Sequence, residues 1–130
     1  MNPKKSYSPK FDFKFDKSTG ILFKYYYGKI SIETLITSWE ENFNSDILKN
    51  DIKGFILDYT NASLEMDISE HLKIVQFYKS NLTIFGNYKI AVITNNPKDI
   101  VIPILVQSKD EGYASKPFST IEGAIEWVLK

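Results

Sequence analysis

The sequence contains no cysteine. That excludes disulfide staples, thiolate chemistry and cysteine-based zinc sites. Histidine occurs once, at position 71, so any histidine-dependent chemistry rests on one side chain. The 6 glycines are scattered and form no phosphate-cradling loop. Net charge is also missing: 16 Lys+Arg balance 16 Asp+Glu, which argues against the basic face that nucleic-acid binding needs. No apolar run approaches the ~20 residues of a membrane span. The start, Met1 to Ser8, lacks the apolar centre of a secretion signal. A cytoplasmic protein is therefore the expectation. The glycosylation-like triplets beginning at Asn61 and Asn81 are then chance matches.

What is present is a globular composition. The 130 residues make one domain by length, and a hydrophobic share of 43% is enough for a packed core. Eight tyrosines and nine phenylalanines predict a core rich in rings. Residues 1–10 hold prolines, lysines and serines and read as a flexible tail, leaving 11–130 as the folded domain.

Phe11 to Asp16 alternates apolar and charged residues, the period of a half-buried strand. A turn ending at Gly20 leads to a second strand, Ile21 to Tyr27, so the chain opens with an antiparallel hairpin. Ser31 caps a helix over 32–44, with Ile32, Leu35, Ile36, Trp39 and Phe43 on its apolar face. Residues 54–60 read as the central strand, apolar on both sides. Asp67 and Glu70 have capping-box spacing ahead of a helix reaching residue 82, with Ile68, Leu72 and Val75 in its stripe. A buried strand spans 88–94. Pro97 suits the first position of an apolar third helix, largely buried, in which Pro103 implies a kink or a late restart. Residues 113–118 fit an edge strand because of Pro117. Ser119 and Glu122 suggest a capping box for the last helix. The alternation predicts an α/β fold with a mixed, mostly parallel sheet, an N-terminal β-hairpin and about four helices.

This order resembles the STAS domain, and more closely its SpoIIAA-like branch, also described as STAS/SEC14-like. The likeness rests on the hairpin–helix opening with Gly28 at the join, on the strand ending Leu57-Asp58 with its acidic loop to Asp67-Ile-Ser69, and on the ending from Lys116 to Leu129. In the anti-sigma factor antagonists of that family, an Asp-Ser-Ser-Gly run starts the helix after the central strand. Its second serine is phosphorylated by a partner kinase. The matching run here is Asp67-Ile-Ser69-Glu70, so the resemblance implies Ser69 as candidate phospho-acceptor, with Ile68 and Glu70 departing from the pattern. The alternative is that Asp67 or Ser69 simply caps the helix.

In an open sheet, ligands and partners meet the carboxyl ends of the strands. Asp58, Tyr59, Asn61, Asp67, Ser69, His71 and Asn95, with Thr94, are the candidate partner or ligand surface. Ser69 and His71 stand two apart on a helix and point in different directions, so no catalytic pair is expected. Asp67 and His71 have metal-compatible spacing but no third ligand, and no metal or cofactor is expected. His71 reads as a solvated helix residue. The expected function is a non-enzymatic cytoplasmic regulatory or protein-interaction domain with a kinase or anti-sigma-like partner. The alternative is a small-molecule or lipid carrier with an apolar pocket between the third helix and the sheet. Self-association as a homodimer through exposed rings of the hairpin is also open.

Overall fold

A computed structural model of the chain describes residues 10–130. The tail expected over residues 1–10 lies outside the described residues apart from Lys10. Two antiparallel strands open the fold, β1 (Phe11–Asp16) and β2 (Ile21–Ile30). In their turn Gly20 takes φ 76°, and the Asp16 carboxylate accepts from the hydroxyls of Ser18 and Thr19. Helix α1 (Ile32–Phe43) follows, capped by Ser31, whose hydroxyl accepts from the Thr34 N–H at 3.2 Å. Then come β3 (Gly54–Leu64), α2 (His71–Lys79), the one-turn α3 (Leu82–Phe85), β4 (Lys89–Ile93), α4 (Val101–Ser108), β5 (Ala114–Phe118) and α5 (Ile121–Leu129).

The five strands lie in the order β1-β2-β3-β4-β5, antiparallel at β1 and parallel elsewhere. The expected hairpin and mostly parallel sheet are both present, with β3 at the centre. Parallel strands must be covered on both faces, and two clusters do this. On one side Leu22, Tyr26, Phe55, Leu57 and Ile90 meet Trp39, Val75, Phe85 and Ile102 from the helices α1 to α4. Trp39 packs edge-on against Phe55 and Phe85 at 5.0 and 4.8 Å. On the other side Ile21, Phe23, Ile56, Ala91 and Ile93 meet Ala124 and Val128 of α5.

Several boundaries differ from the sequence reading. Both β2 and β3 outrun their expected ends and pair through Ile30 and Leu64. Gly28, with φ 75°, lies inside β2 rather than at its end. The helix expected over 68–82 divides into a 3-10 turn (Ile68–Glu70), α2 and α3. Pro97 does not open α4, which starts at Val101. Pro103 is thus the third residue of a late-starting helix, where the missing N–H is one that no helix satisfies internally, so it disrupts no bond. The first bond there runs from the Ile104 N–H to the Ile100 carbonyl at 3.1 Å. Nor is α4 largely buried: Ile102, Pro103 and Val106 face inward, while Val101 and Ile104 face solvent. Thr120, not Ser119, caps α5, its hydroxyl accepting from the Gly123 N–H at 3.1 Å. The edge strand with Pro117 is where it was expected.

Candidate functional site

At the carboxyl end of the sheet, β3 runs past its neighbour. β4 ends at Ile93, in register with Asp58, while β3 continues to Leu64 alongside β2 alone. The register slips there, because Tyr25 pairs with Asp58 but Tyr27 pairs with Asn61. The extra residue is a β-bulge. Asp58 Oδ1 accepts from the Thr60 N–H at 2.8 Å and so supports the irregular backbone.

The bulge also reverses which residues face which layer. Leu57 and Tyr59 before it, and Ala62 and Leu64 after it, all pack into the helix-side core. Asp58, two residues beyond Ile56, lies with Tyr25 on the α5 side. Burial, and then the nearby Asp58 charge, raise the Tyr25 phenol above its ordinary value. The predicted crevice is therefore not one surface. Asp58 and Asn61 lie away from the helix-side core, and Asn95 is exposed beyond the end of β4. Tyr59 is a core residue, stacked on Tyr26 with ring centres 4.5 Å apart. Thr94 is buried as well. At 3% exposure Tyr59 is a packing group, and the same desolvation pushes its phenol well above the ordinary value.

The turn that follows is the accessible part. The Glu65 N–H donates to the Ile30 carbonyl at 2.7 Å and closes the strand pair. Asp67 precedes the 3-10 turn, and the Glu70 carboxylate reaches back to the Asp67 N–H at 2.9 Å, as capping-box spacing requires. Ser69 is exposed between them. His71 is not solvated as expected but only 8% exposed. Its Nδ1 stands 2.6 Å from the Ile68 carbonyl, an acceptor, so that nitrogen carries the hydrogen. Nε2 is buried without a protein partner. Its burial follows from the stripe of α2, which is His71, Ile74, Val75 and Tyr78. Ile68 and Leu72, assigned to that stripe from the sequence, are instead 58% and 51% exposed. Both sets have helical spacing and share Val75, so spacing alone does not separate them. Leu72, with Ile36, Gln76 and Phe77, lines a shallow groove between α1 and α2.

Two buried polar residues were not among the site candidates read from the sequence. Asp99 is buried in the turn ahead of α4, with Oδ2 lacking a protein partner. Lys24, in the middle of β2, is fully buried, and its Nζ donates to Asn42 Oδ1 at 2.6 Å. Its place on the Leu22–Tyr26 face was the available clue. Among the described residues, no group of three or more His, Cys, Asp and Glu is placed to hold a metal ion. Under Pro103 a cavity of about 30 Å³ lies between α4 and the sheet, lined by Leu57, Tyr59, Tyr78 and Ile102. It has room for on the order of one or two waters. No helix among the described residues is long and apolar enough to cross a membrane.

No protein-family model matches the sequence, and no curated protein matches it. Solved structures do match, and they define the fold class: the chain has a SpoIIAA-like α/β fold. The anti-sigma factor antagonist SpoIIAA in its unphosphorylated form superposes with a TM-score of 0.55 at 14% identity, over 91% of this chain and 96% of that one. An uncharacterised protein of the DUF3478 family with a SpoIIAA-like fold, from Shewanella loihica PV-4, superposes with a TM-score of 0.57 at 12% identity, over 91% of each chain. At such identities the likeness establishes the fold and no more.

Proposed function

We propose that this chain is a non-enzymatic, cytoplasmic regulatory domain that docks a protein partner on the surface spanning residues 58 to 72. One observation carries the reading: Ile68 and Leu72, both more than half exposed, flank exposed Ser69 at the carboxyl end of the sheet. Large apolar side chains displayed together in this way mark contact surfaces more often than they serve the isolated fold. The likeness to SpoIIAA, itself an anti-sigma factor antagonist, supports the reading and points to an anti-sigma-like or kinase partner. Exposed Asp67 supplies a polar rim, and Asp58 supports the bulge behind it.

Ser69 is the regulatory position. A phosphate there enters a neighbourhood that already holds Glu65, Asp67 and Glu70, so it adds like charge and alters the contact through repulsion. The carrier alternative is not adopted, since the cavity under Pro103 has no room for an acyl chain. The test is affinity capture with wild type, Leu72→Lys and Ser69→Glu, each checked for unchanged circular dichroism. A captured protein lost with Leu72→Lys and altered with Ser69→Glu is the expected result. Identical capture by all three proteins sinks the proposal.

A further inference from the structure

The outer edge of β1 is unpaired among the described residues, since β1 bonds to β2 alone. Its backbone polarity can be read from the ladder. The Tyr27 N–H donates to the Lys10 carbonyl at 2.9 Å, so the even-numbered residues of β1 turn their polar groups toward β2. Phe11, Phe13 and Phe15 therefore present N–H and C=O to the free edge. The Phe13 N–H confirms this, as it is held at 2.8 Å by the side chain of Asp12 rather than by β2. Exposed edges of this kind are templates for another strand.

The sequence along this edge, Lys10-Phe-Asp-Phe-Lys-Phe-Asp16, is complementary to its own reversal in charge. The geometry points to a second copy of this chain as the occupant, joined β1 to β1 in antiparallel fashion with Phe13 opposite Phe13. In that register Phe11 faces Phe15 and Asp12 faces Lys14, while Lys10 faces Asp16. Every hydrogen-bonded pair is then one whose groups point outward; the same holds in any register that sets odd residues against odd, and charge selects among these. Shifting the centre to Asp12 sets Asp12 against Asp12 and Lys10 against Lys14. Shifting it to Lys14 sets Lys14 against Lys14 and Asp12 against Asp16. Both neighbouring registers place like charges opposite each other, which is unfavourable across strands.

Side-chain placement agrees. Asp12 and Lys14 are exposed on one face of the strand; on pairing, the Phe13 N–H turns from the Asp12 carboxylate to the partner strand's carbonyl, which releases Asp12 to meet Lys14 across the two-fold axis. The three phenylalanines are half-buried against the helix-side core and would gain ring contacts with their counterparts. Asp16 is engaged by Ser18 and Thr19, so the Asp12–Lys14 pairs are the central ones. The result is a continuous sheet across two copies, with the 58–72 surface left free.

Sedimentation equilibrium on the full chain tests this over a hundredfold range of concentration. Wild type should pass from 15.0 kDa toward twice that mass, and added salt should weaken the association. Asp12→Lys alone and Lys14→Asp alone each set like charges across the axis and should remain monomeric, with thermal transitions equal to that of wild type at concentrations where wild type is also monomeric. An equimolar mixture of the two variants should dimerise again, because each restores the other's pairing. A wild type that stays monomeric overturns the inference, as does a dimer that neither variant weakens. Failure of the mixture to associate while wild type does so overturns the register.

Discussion

Lys24 offers the sharpest test of how this core is balanced. The side chain has no exposed surface and has one polar partner, Asn42 Oδ1 at 2.6 Å. Its ammonium also sits 3.7 Å from the Trp39 ring centre and 5.0 Å from that of Phe13. Desolvation drives its pKa well below 10.5, with the Glu41 charge opposing. A contact between a desolvated cation and a ring recovers about 2 kcal/mol, and taking an ion out of water costs several. Desolvation wins, so Lys24 lowers stability at neutral pH. Replacing it alone by Met leaves Asn42 buried without a partner, a cost of about 1–3 kcal/mol that cancels much of the gain. The double variant Lys24→Met/Asn42→Leu removes both groups and should be more stable than wild type by about 1–4 kcal/mol near neutral pH. The sign with pH follows from proton counting. Between the depressed native value and 10.5, the unfolded chain holds a proton that the native one lacks. Wild-type stability therefore rises with pH through that window, by at most about 1.4 kcal/mol per unit, and levels off above 10.5. The double variant lacks this slope, so its advantage shrinks as pH rises. Guanidinium titrations from about pH 7 to about pH 9.5 read the difference, below the range where tyrosines ionise. Parallel pH profiles, or a wild type more stable than the double variant at neutral pH, would refute the account.

The buried phenols act at the other end of the scale. Desolvation raises Tyr26, Tyr59 and Tyr78 above 10.0, so their contribution is complete below that value and is lost as pH climbs past it toward the native values. The last phase of phenolate absorbance, that of the buried rings, should therefore appear only together with loss of far-ultraviolet dichroism, above about pH 10; all eight phenolates forming with the fold intact would contradict the burial. Gly54 is required for close approach, because a Cβ there would overlap the Val128 side chain of α5 and crowd the Lys89 carbonyl. Gly54→Ala should cost about 1–3 kcal/mol in chemical denaturation, and a neutral result would mean that α5 yields freely.

The parts of the fold visible in the sequence are those where one period dominates. The alternation of Phe11 to Asp16 and the apolar centres of β3 and β4 leave little choice of structure, and the stripe of α1 begins at a serine that does cap it. Ambiguity arose where two patterns overlapped. Ile68, Leu72 and Val75 have helical spacing, and so do His71, Ile74, Val75 and Tyr78. The choice between them depends on the direction from which α2 meets the sheet. That error moved His71 to the outside and Ile68 and Leu72 to the inside. Lys24 was hidden for a different reason. A lysine in a strand normally marks the solvent face, and nothing local reveals that Asn42, eighteen residues on, closes over it.

The extension of β2 and β3 was the least legible feature, and it is what creates the candidate site. Asn61-Ala-Ser63 has weak strand propensity and reads as a loop in isolation. It becomes strand because Gly28, at φ 75°, lets β2 continue beside it, and because Ile30 and Leu64 are buried at the far end. A two-stranded ribbon has little stability of its own. This one is held by those two anchors and by the Glu65 to Ile30 hydrogen bond. The consequence is that the turn carrying Ser69 stands beyond the end of β4, where no further strand covers it. The bulge at Tyr59 has a matching effect. It sends one aromatic ring into the core while turning Asp58 and Asn61 to the opposite layer. Local sequence preference and final structure disagree most along residues 58–64, and the exposed apolar side chains lie immediately beyond. Such a conflict between levels is characteristic of sites shaped for contact rather than for stability, and it gives an independent reason to look for the partner there.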